Sequence, residues 1–273
     1  MGYYMRAVAV ALVLSISSLT FAAASVTIAY DDAADPVYNT GPYVGLNGGF
    51  GLTPWQHSPP VGPLHAFVST SALNGPPGPD IDTAGSFGPV AWGNNADPTG
   101  NTFFARRSLA FDLPVGGTLG ISYDGGNVDG QQTLSFGLNN NTMCQFFFNA
   151  SFPNYQFTDT LSSATLPSPI LQTFGGMRVT LTRDTASTYS FEMKRLSDNL
   201  TFSVGPFPYD TTTITGIRTI TLSNLDGGAG GGHSMFLNQI QATMIPEPAT
   251  GSLLTLVTGL IVSRRPTRPR CSR

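Results

Sequence analysis

Charge is scarce in this sequence, and one kind of charge is almost missing. A single lysine, Lys194, stands among 273 residues, and the only glutamates are Glu192 and Glu247. Between Ser25 and Ile245 the chain holds seven basic and fifteen acidic residues, a net charge of −8. Nucleic-acid binding needs clustered lysine and arginine facing phosphates, so no nucleic acid is expected as a partner. Docking on anionic lipid is disfavoured for the same reason. Cysteine is also short: Cys271 lies near the end of the chain, and Cys144 is the other one. A catalytic thiol wants an exposed, electropositive setting with a histidine beside it; Cys144 is expected instead to be buried among Phe146, Phe147 and Phe148.

Catalytic patterns are equally thin. There is no G-x-S-x-G. The three histidines His57, His65 and His233 lie in or beside Gly/Pro-rich segments, with no H-x-x-x-H spacing to suit a metal. Glycoside hydrolysis needs two carboxyl groups facing each other, and Glu192 is the one glutamate of the body. The run Gly227 to Gly232 lacks the Lys-Ser/Thr of a phosphate loop and leads toward a strand, so it reads as a loop. No enzyme is expected.

What is abundant is turn chemistry. With 31 glycines and 21 prolines, and no helical period sustained over three turns, the body reads as many short strands between turns. Strands are expected at Val26 to Tyr30, at His65 to Ser69 and Val90 to Trp92, and then, more clearly, from Ser108 to Leu113. Further on they are expected at Thr118 to Tyr123, Gln132 to Leu138, Cys144 to Phe148 and Met177 to Thr182. The last are Ser187 to Met193, Leu200 to Val204, Ile217 to Leu222 and Met235 to Thr243. Along Thr188 to Lys194 the period of two places Tyr189, Phe191 and Met193 on the core face and Glu192 and Lys194 on the solvent face. The expected fold is all-β, an antiparallel β-sandwich or jelly roll, as one domain over residues 25–243.

The two ends are organised differently. Arg6, the apolar stretch Ala7 to Phe21 and the A-x-A site Ala22-Ala23-Ala24 predict a secretory signal peptide over residues 1–24. At residues 244–273, Pro246-Glu247-Pro248 precedes an apolar run from Ala249 to Val262, then Arg264, Arg265, Arg268, Arg270 and Arg273. The prolines hold the chain extended, the apolar run can enter a bilayer, and the arginines stay on the cytoplasmic side. As a helix that run would span roughly 21 Å against a hydrocarbon core of about 30 Å, which suits a transient sorting helix better than a lasting anchor.

This tail resembles the PEP-CTERM sorting signal of exported bacterial proteins, with Pro246, Glu247, Pro248, Arg264 and Arg265 as its motif residues. The resemblance implies export through the secretion translocon, processing by an exosortase-type membrane peptidase, and a final place at the cell surface or outside the cell. It extends into the body. Tyr30-Asp31-Asp32-Ala33-Ala34-Asp35-Pro36, then Asn47-Gly48-Gly49-Phe50-Gly51 and Pro54-Trp55, look like the opening of many PEP-CTERM β-sandwich proteins. Met235-Phe236-Leu237-Asn238-Gln239-Ile240 looks like their last strand, with Leu237 departing from the pattern. The fold this implies is a lectin-like, concanavalin-type sandwich.

Two kinds of binding residue stand out in the body. Trp55 and Trp92, with Tyr38 and Tyr43 nearby, either form a stacking platform for sugar or plug one end of the sandwich; the core is the commoner fate of a tryptophan. Asp124, Asn127 and Asp129 place hard oxygen ligands in one turn, as Asp31, Asp32 and Asp35 do in another, and suit Ca²⁺; the same residues are also ordinary turn formers. Ca²⁺ is the one cofactor considered. The sequence therefore reads as an exported surface or matrix protein with a structural or interaction role, with a carbohydrate-binding module acting on surface polysaccharide as the alternative.

The tail has a rival reading, because Pro248-Ala249-Thr250-Gly251 is the P-x-T-G of a sortase signal with Glu247 where leucine is expected. Mass spectrometry of the mature C-terminus decides between them. Processing at the Pro-Glu-Pro is expected, and a chain ending at Thr250 would assign the tail to sortase.

Overall fold

The computed structural model describes residues 24–40, 42–58, 66–75, 81–85, 88–94, 102–125, 129–172, 175–225 and 233–246. Residues 1–23 and 247–273 lie outside them, so nearly all of the expected signal peptide and most of the expected sorting motif, Glu247, Pro248, Arg264 and Arg265, lie outside as well. Pro246 is described and is in no regular element. No helix among the described residues is long and apolar enough to cross a membrane.

Val26–Met244 forms one compact unit. Its strands are β1 (Val26–Asp31), β2 (Gln56–Ser58), β3 (Ala66–Ser69), β4 (Thr83–Gly85), β5 (Gly88–Asn94), β6 (Thr102–Ser108), β7 (Thr118–Gly125) and β8 (Gln131–Leu138). They continue as β9 (Asn141–Asn149), β10 (Asn154–Asp159), β11 (Ala164–Leu171), β12 (Met177–Arg183), β13 (Thr188–Arg195), β14 (Thr201–Pro208), β15 (Thr219–Leu225) and β16 (Met235–Met244). One sheet of nine strands runs β14-β13-β12-β7-β16-β5-β3, with β1 beside β16 and β4 beside β5. The other, of seven, runs β11-β10-β9-β8-β15-β6-β2. The pairings are antiparallel, so the expected two-sheet antiparallel sandwich is what the chain forms.

The core lies where the inward faces of the two sheets meet. On β13, Tyr189, Phe191 and Met193 are buried while Glu192 is exposed, as the period of two requires. Phe191 alone reaches three strands of the opposite sheet, touching Phe136 at 6.4 Å, Phe146 at 6.4 Å and Phe157 at 4.7 Å between ring centroids. Aromatic pairs at such separations add to the area they bury. Cys144 is fully buried on β9 with Phe146 and Phe148, whereas Phe147 faces the other way.

Several strands differ from expectation, each for a physical reason. Ser108 to Leu113 alternates like a strand, yet the ladder stops at Ser108. The Leu109 and Leu113 N–H groups instead donate to the backbone carbonyls of Arg218 and Ile217, and both side chains are buried. The true strand β6 was hidden by Arg106-Arg107, since an arginine is not expected on a core face. β11 was hidden by Pro167 and Pro169, which suit the edge position it occupies. β10 was missed because Asp159 sits among its inward residues, where it accepts from the Tyr189 hydroxyl at 2.6 Å.

Arg107 explains how the two sheets are joined near the start of the chain. Its Nη2 meets Asp31 Oδ2 of β1 at 2.5 Å, and both side chains are fully buried. Nη2 also donates to Gly48 O, and Nη1 to Leu46 O, each at 3.1 Å. The Tyr38 hydroxyl donates to Asp31 Oδ2 at 2.5 Å and accepts from Gly48 N at 2.9 Å. The opening motif is thus a structural device. Gly49, at φ +66°, lies where a Cβ would come within 1.9 Å of Tyr30 O, so only glycine lets the returning loop reach β1.

The motif near the end solves a different problem. β16 pairs with β5 through Leu237 and with β1 from Ile240 onward, and its register against β7 shifts between Asn238 and Gln241. At this hand-over Gln239 takes φ +50°. The buried Asn238 amide donates to Ile81 O, Val90 O and Thr83 Oγ1, each at 3.0 Å, and its oxygen accepts from Ala33 N and Gln239 N. One side chain thereby satisfies backbone that the change of partner leaves unpaired.

Removing one member of a buried ion pair strands the other. Arg107→Met is expected to lower stability by about 3–5 kcal/mol in urea unfolding, with part of the loss recovered by adding Asp31→Asn. A loss below about 1 kcal/mol would show that the pair does not hold the sheets. Burial also pushes the Asp31 carboxyl up to about 6, with Arg107 and the Tyr38 hydroxyl opposing that rise. The folded chain then holds this proton more tightly than the unfolded chain. The resulting stability is present below about pH 4 and is lost as pH rises through about 6. Asp31→Asn should flatten that part of the pH–stability curve, and an unchanged slope would contradict it.

Candidate functional site

The tryptophans go to the core. Trp55 and Trp92 are 1% and 0% exposed. They pack edge-to-face at 5.2 Å, flanked by Tyr43 against Trp55 at 5.0 Å and Tyr38 against Trp92 at 5.4 Å. The Arg107 guanidinium carbon lies 5.5 Å from the Trp55 ring centroid. No ring face of either is open to a sugar, which rules out the platform and leaves the plug.

Of the calcium candidates, the aspartates near the start of the chain are engaged with protein donors. Asp31 is taken by Arg107 and Tyr38. Asp32 accepts from the Tyr30 hydroxyl, Ala34 N and Thr83 Oγ1, and Asp35 from Val37 N and Gly49 N. Asp124 is buried at the end of β7, Asp129 is exposed, and Asn127 lies outside the described residues. Among the described residues no three His, Cys, Asp or Glu gather as a metal site. His57 is half-buried against Phe103 at 5.9 Å, His233 is half-buried, and both His65 and the glycine run at 227–232 lie outside the description. Burial pushes the Cys144 thiol up, which makes it a poor nucleophile.

The open site lies on the outer face of the seven-stranded sheet. Its residues are the outward members of the same strands whose inward members build the core. Arg106 on β6 stands opposite Gln56 on one side and Thr221 on the other. Thr221 stands opposite Ser135, Ser135 opposite Gln145, Gln145 opposite Thr158, and Thr158 opposite Thr165. One in-register row of hydrogen-bonding side chains therefore crosses all seven strands, roughly 29 Å at about 4.8 Å per step. The neighbouring row carries Phe104, Ser223, Thr133, Phe147 and Gln156. Phe104 is 41% exposed.

This face is hollowed. A depression of about 300 Å³ is floored by Thr133, Ser135, Thr219, Thr221, Ser223 and Gln145 and walled by Phe104, Arg106 and Asn139 to Asn141. A second, of about 390 Å³, adjoins it beside Gln56 and His57 and shares Phe104, Arg106 and Asn140. The wall is the β8–β9 turn, where Asn139 adopts φ +53°, a conformation asparagine tolerates. Among the described residues, neither depression is lined by a carboxylate. Hydroxyls and amides that both donate and accept, set around an exposed ring, suit a polyhydroxylated ligand with an apolar face.

Sequence reasoning missed this face. The signal lay in the outward positions of β8 and β15, Gln131-Thr133-Ser135 and Thr219-Thr221-Ser223, which are small and neutral where a solvated face usually carries charge.

No family model matches the chain, and no curated protein matches it. Among solved structures it is similar to a carbohydrate esterase from Shiga toxin-encoding bacteriophage phi24B, at 10% identity and TM-score 0.47, covering 82% of this chain and 100% of that one. It is also similar to the Ulex europaeus lectin UEA-II complexed with galactose, at 11% identity and TM-score 0.40, covering 74% and 95%. Peanut lectin with a nine-residue peptide follows at 13% identity and TM-score 0.38, covering 67% and 98%. These likenesses are distant, and no function is taken from them.

Proposed function

We propose that this chain is an exported, non-enzymatic glycan-binding protein of the cell surface or matrix. In this reading the PEP-CTERM tail is its address, and the outer face of the seven-stranded sheet is its working surface. The observation that carries it is the uninterrupted row from Gln56 to Thr165 with Phe104 beside it. Glycan chains are bound by hydroxyl and amide groups that exchange water for sugar hydroxyls at small net cost. An exposed ring supplies the apolar contact that drives the exchange. The described lining of either depression offers hydroxyls, amides and one guanidinium, groups that suit binding. In this reading the polysaccharide lies on the sheet and not at the buried tryptophans.

Retention of the full chain on a panel of immobilised polysaccharides tests this. Ser135→Trp, which fills the first depression, is expected to weaken binding at least about tenfold with the unfolding midpoint unchanged, and Phe104→Ala should weaken it by a similar factor. If the folded chain is retained on no member of the panel, glycan binding fails and the surface role is structural only.

A further inference from the structure

Among the described residues, Arg106 is the one charged residue lining the two depressions. Its Nη1 donates to Asn140 Oδ1 at 2.6 Å and its Nε to Thr221 Oγ1 at 3.3 Å, both neutral acceptors. Among the described residues it forms no ion pair, whereas Arg107, Arg195 and Arg218 each hold an aspartate. The remaining N–H donors of its planar fork have no protein acceptor there, and the side chain is half-buried. A partly desolvated cation without a counter-charge is a cost that an anionic ligand group removes. The fork geometry fits a carboxylate.

The rest of the molecule limits how much anion the face can accept. The body carries −8 between Ser25 and Ile245, and such a field repels a dense polyanion. On either side of Arg106 the row is neutral, with Gln56 toward the edge and Thr221 and Ser135 toward the middle of the sheet. We infer that this face selects a glycan with a largely uncharged backbone that bears isolated carboxylates, and that Arg106 is the residue that reads the acid group. The inference rests on the glycan-binding reading above and adds the class of glycan and the residue that discriminates it.

The full chain is measured against xanthan, whose neutral glucan backbone carries uronate side chains, against carboxyl-reduced xanthan, and against polygalacturonate and dextran. Xanthan should bind about tenfold tighter than its reduced form, and polygalacturonate more weakly than xanthan. Arg106→Gln should bring the ratio of native to reduced xanthan binding down to about one, whatever it does to the reduced form. Arg106→Lys, which keeps the charge and loses the fork, should restore part of it. Equal binding of native and reduced xanthan overturns the inference, and so does an Arg106→Gln loss that is the same on both. Binding to dextran alone overturns it too, while leaving glycan binding intact. Retention on none of the four removes both readings.

Discussion

The fold depends on the cost of burying an arginine. Taking a guanidinium and a carboxylate out of water costs several kcal/mol each, and their attraction repays this only if the remaining donors and acceptors are satisfied. At Arg107 the satisfaction comes from far along the chain: Asp31 from the first strand, Leu46 O and Gly48 O from the loop, and the face of Trp55. The loop from 42 to 58 must therefore return to the junction between the sheets. That return needs Gly49 against Tyr30 O and Gly51, at φ +74°, against Ile28 O. A pair that adds little net stability can still fix a unique arrangement, because every alternative leaves a charge buried alone.

The same pair sets the outer face of the seven-stranded sheet. Arg106 and Arg107 are adjacent on β6, so the period of two sends them to opposite sides of one sheet. A slip of one residue would expose Arg107 and bury Arg106, losing all the contacts of the first and placing the second in the core. Holding Arg107 inward thus holds Arg106, Phe104 and the whole outer row in register with β15 and β8. Core and surface are specified by one constraint.

That coupling explains what could be read from the sequence. The strands whose inward residues are apolar, such as β8, β12 and β13, were legible because burial alone sets their period. So was the bland reading of the tryptophans. The opening and closing motifs were visible as patterns, but their purpose was not, because Asn238 and Asp31 act on partners up to about two hundred residues away. β6 and β10 were invisible for the converse reason: each carries a charged residue on its core face, and only the tertiary partner makes that tolerable. The outer row was illegible because it is a property of register across seven strands, which local alternation does not contain.

Scarcity of charge, the first feature of the sequence, then takes on a meaning. Exposed sheet faces are usually kept soluble by lysine and glutamate, yet here the outward positions of β8, β9 and β15 are threonine, serine, glutamine and phenylalanine. Such side chains hold water loosely enough to exchange it and impose no field that would reject a neutral polymer. Among the described residues the acidic groups stand elsewhere, several of them spent inside turns, as Asp198 and Asp210 are on their neighbouring donors. Apart from Arg106, a face with so little charge on an otherwise acidic body does little for solubility. Under the function proposed above, a hydrated polymer covers that face and offsets this.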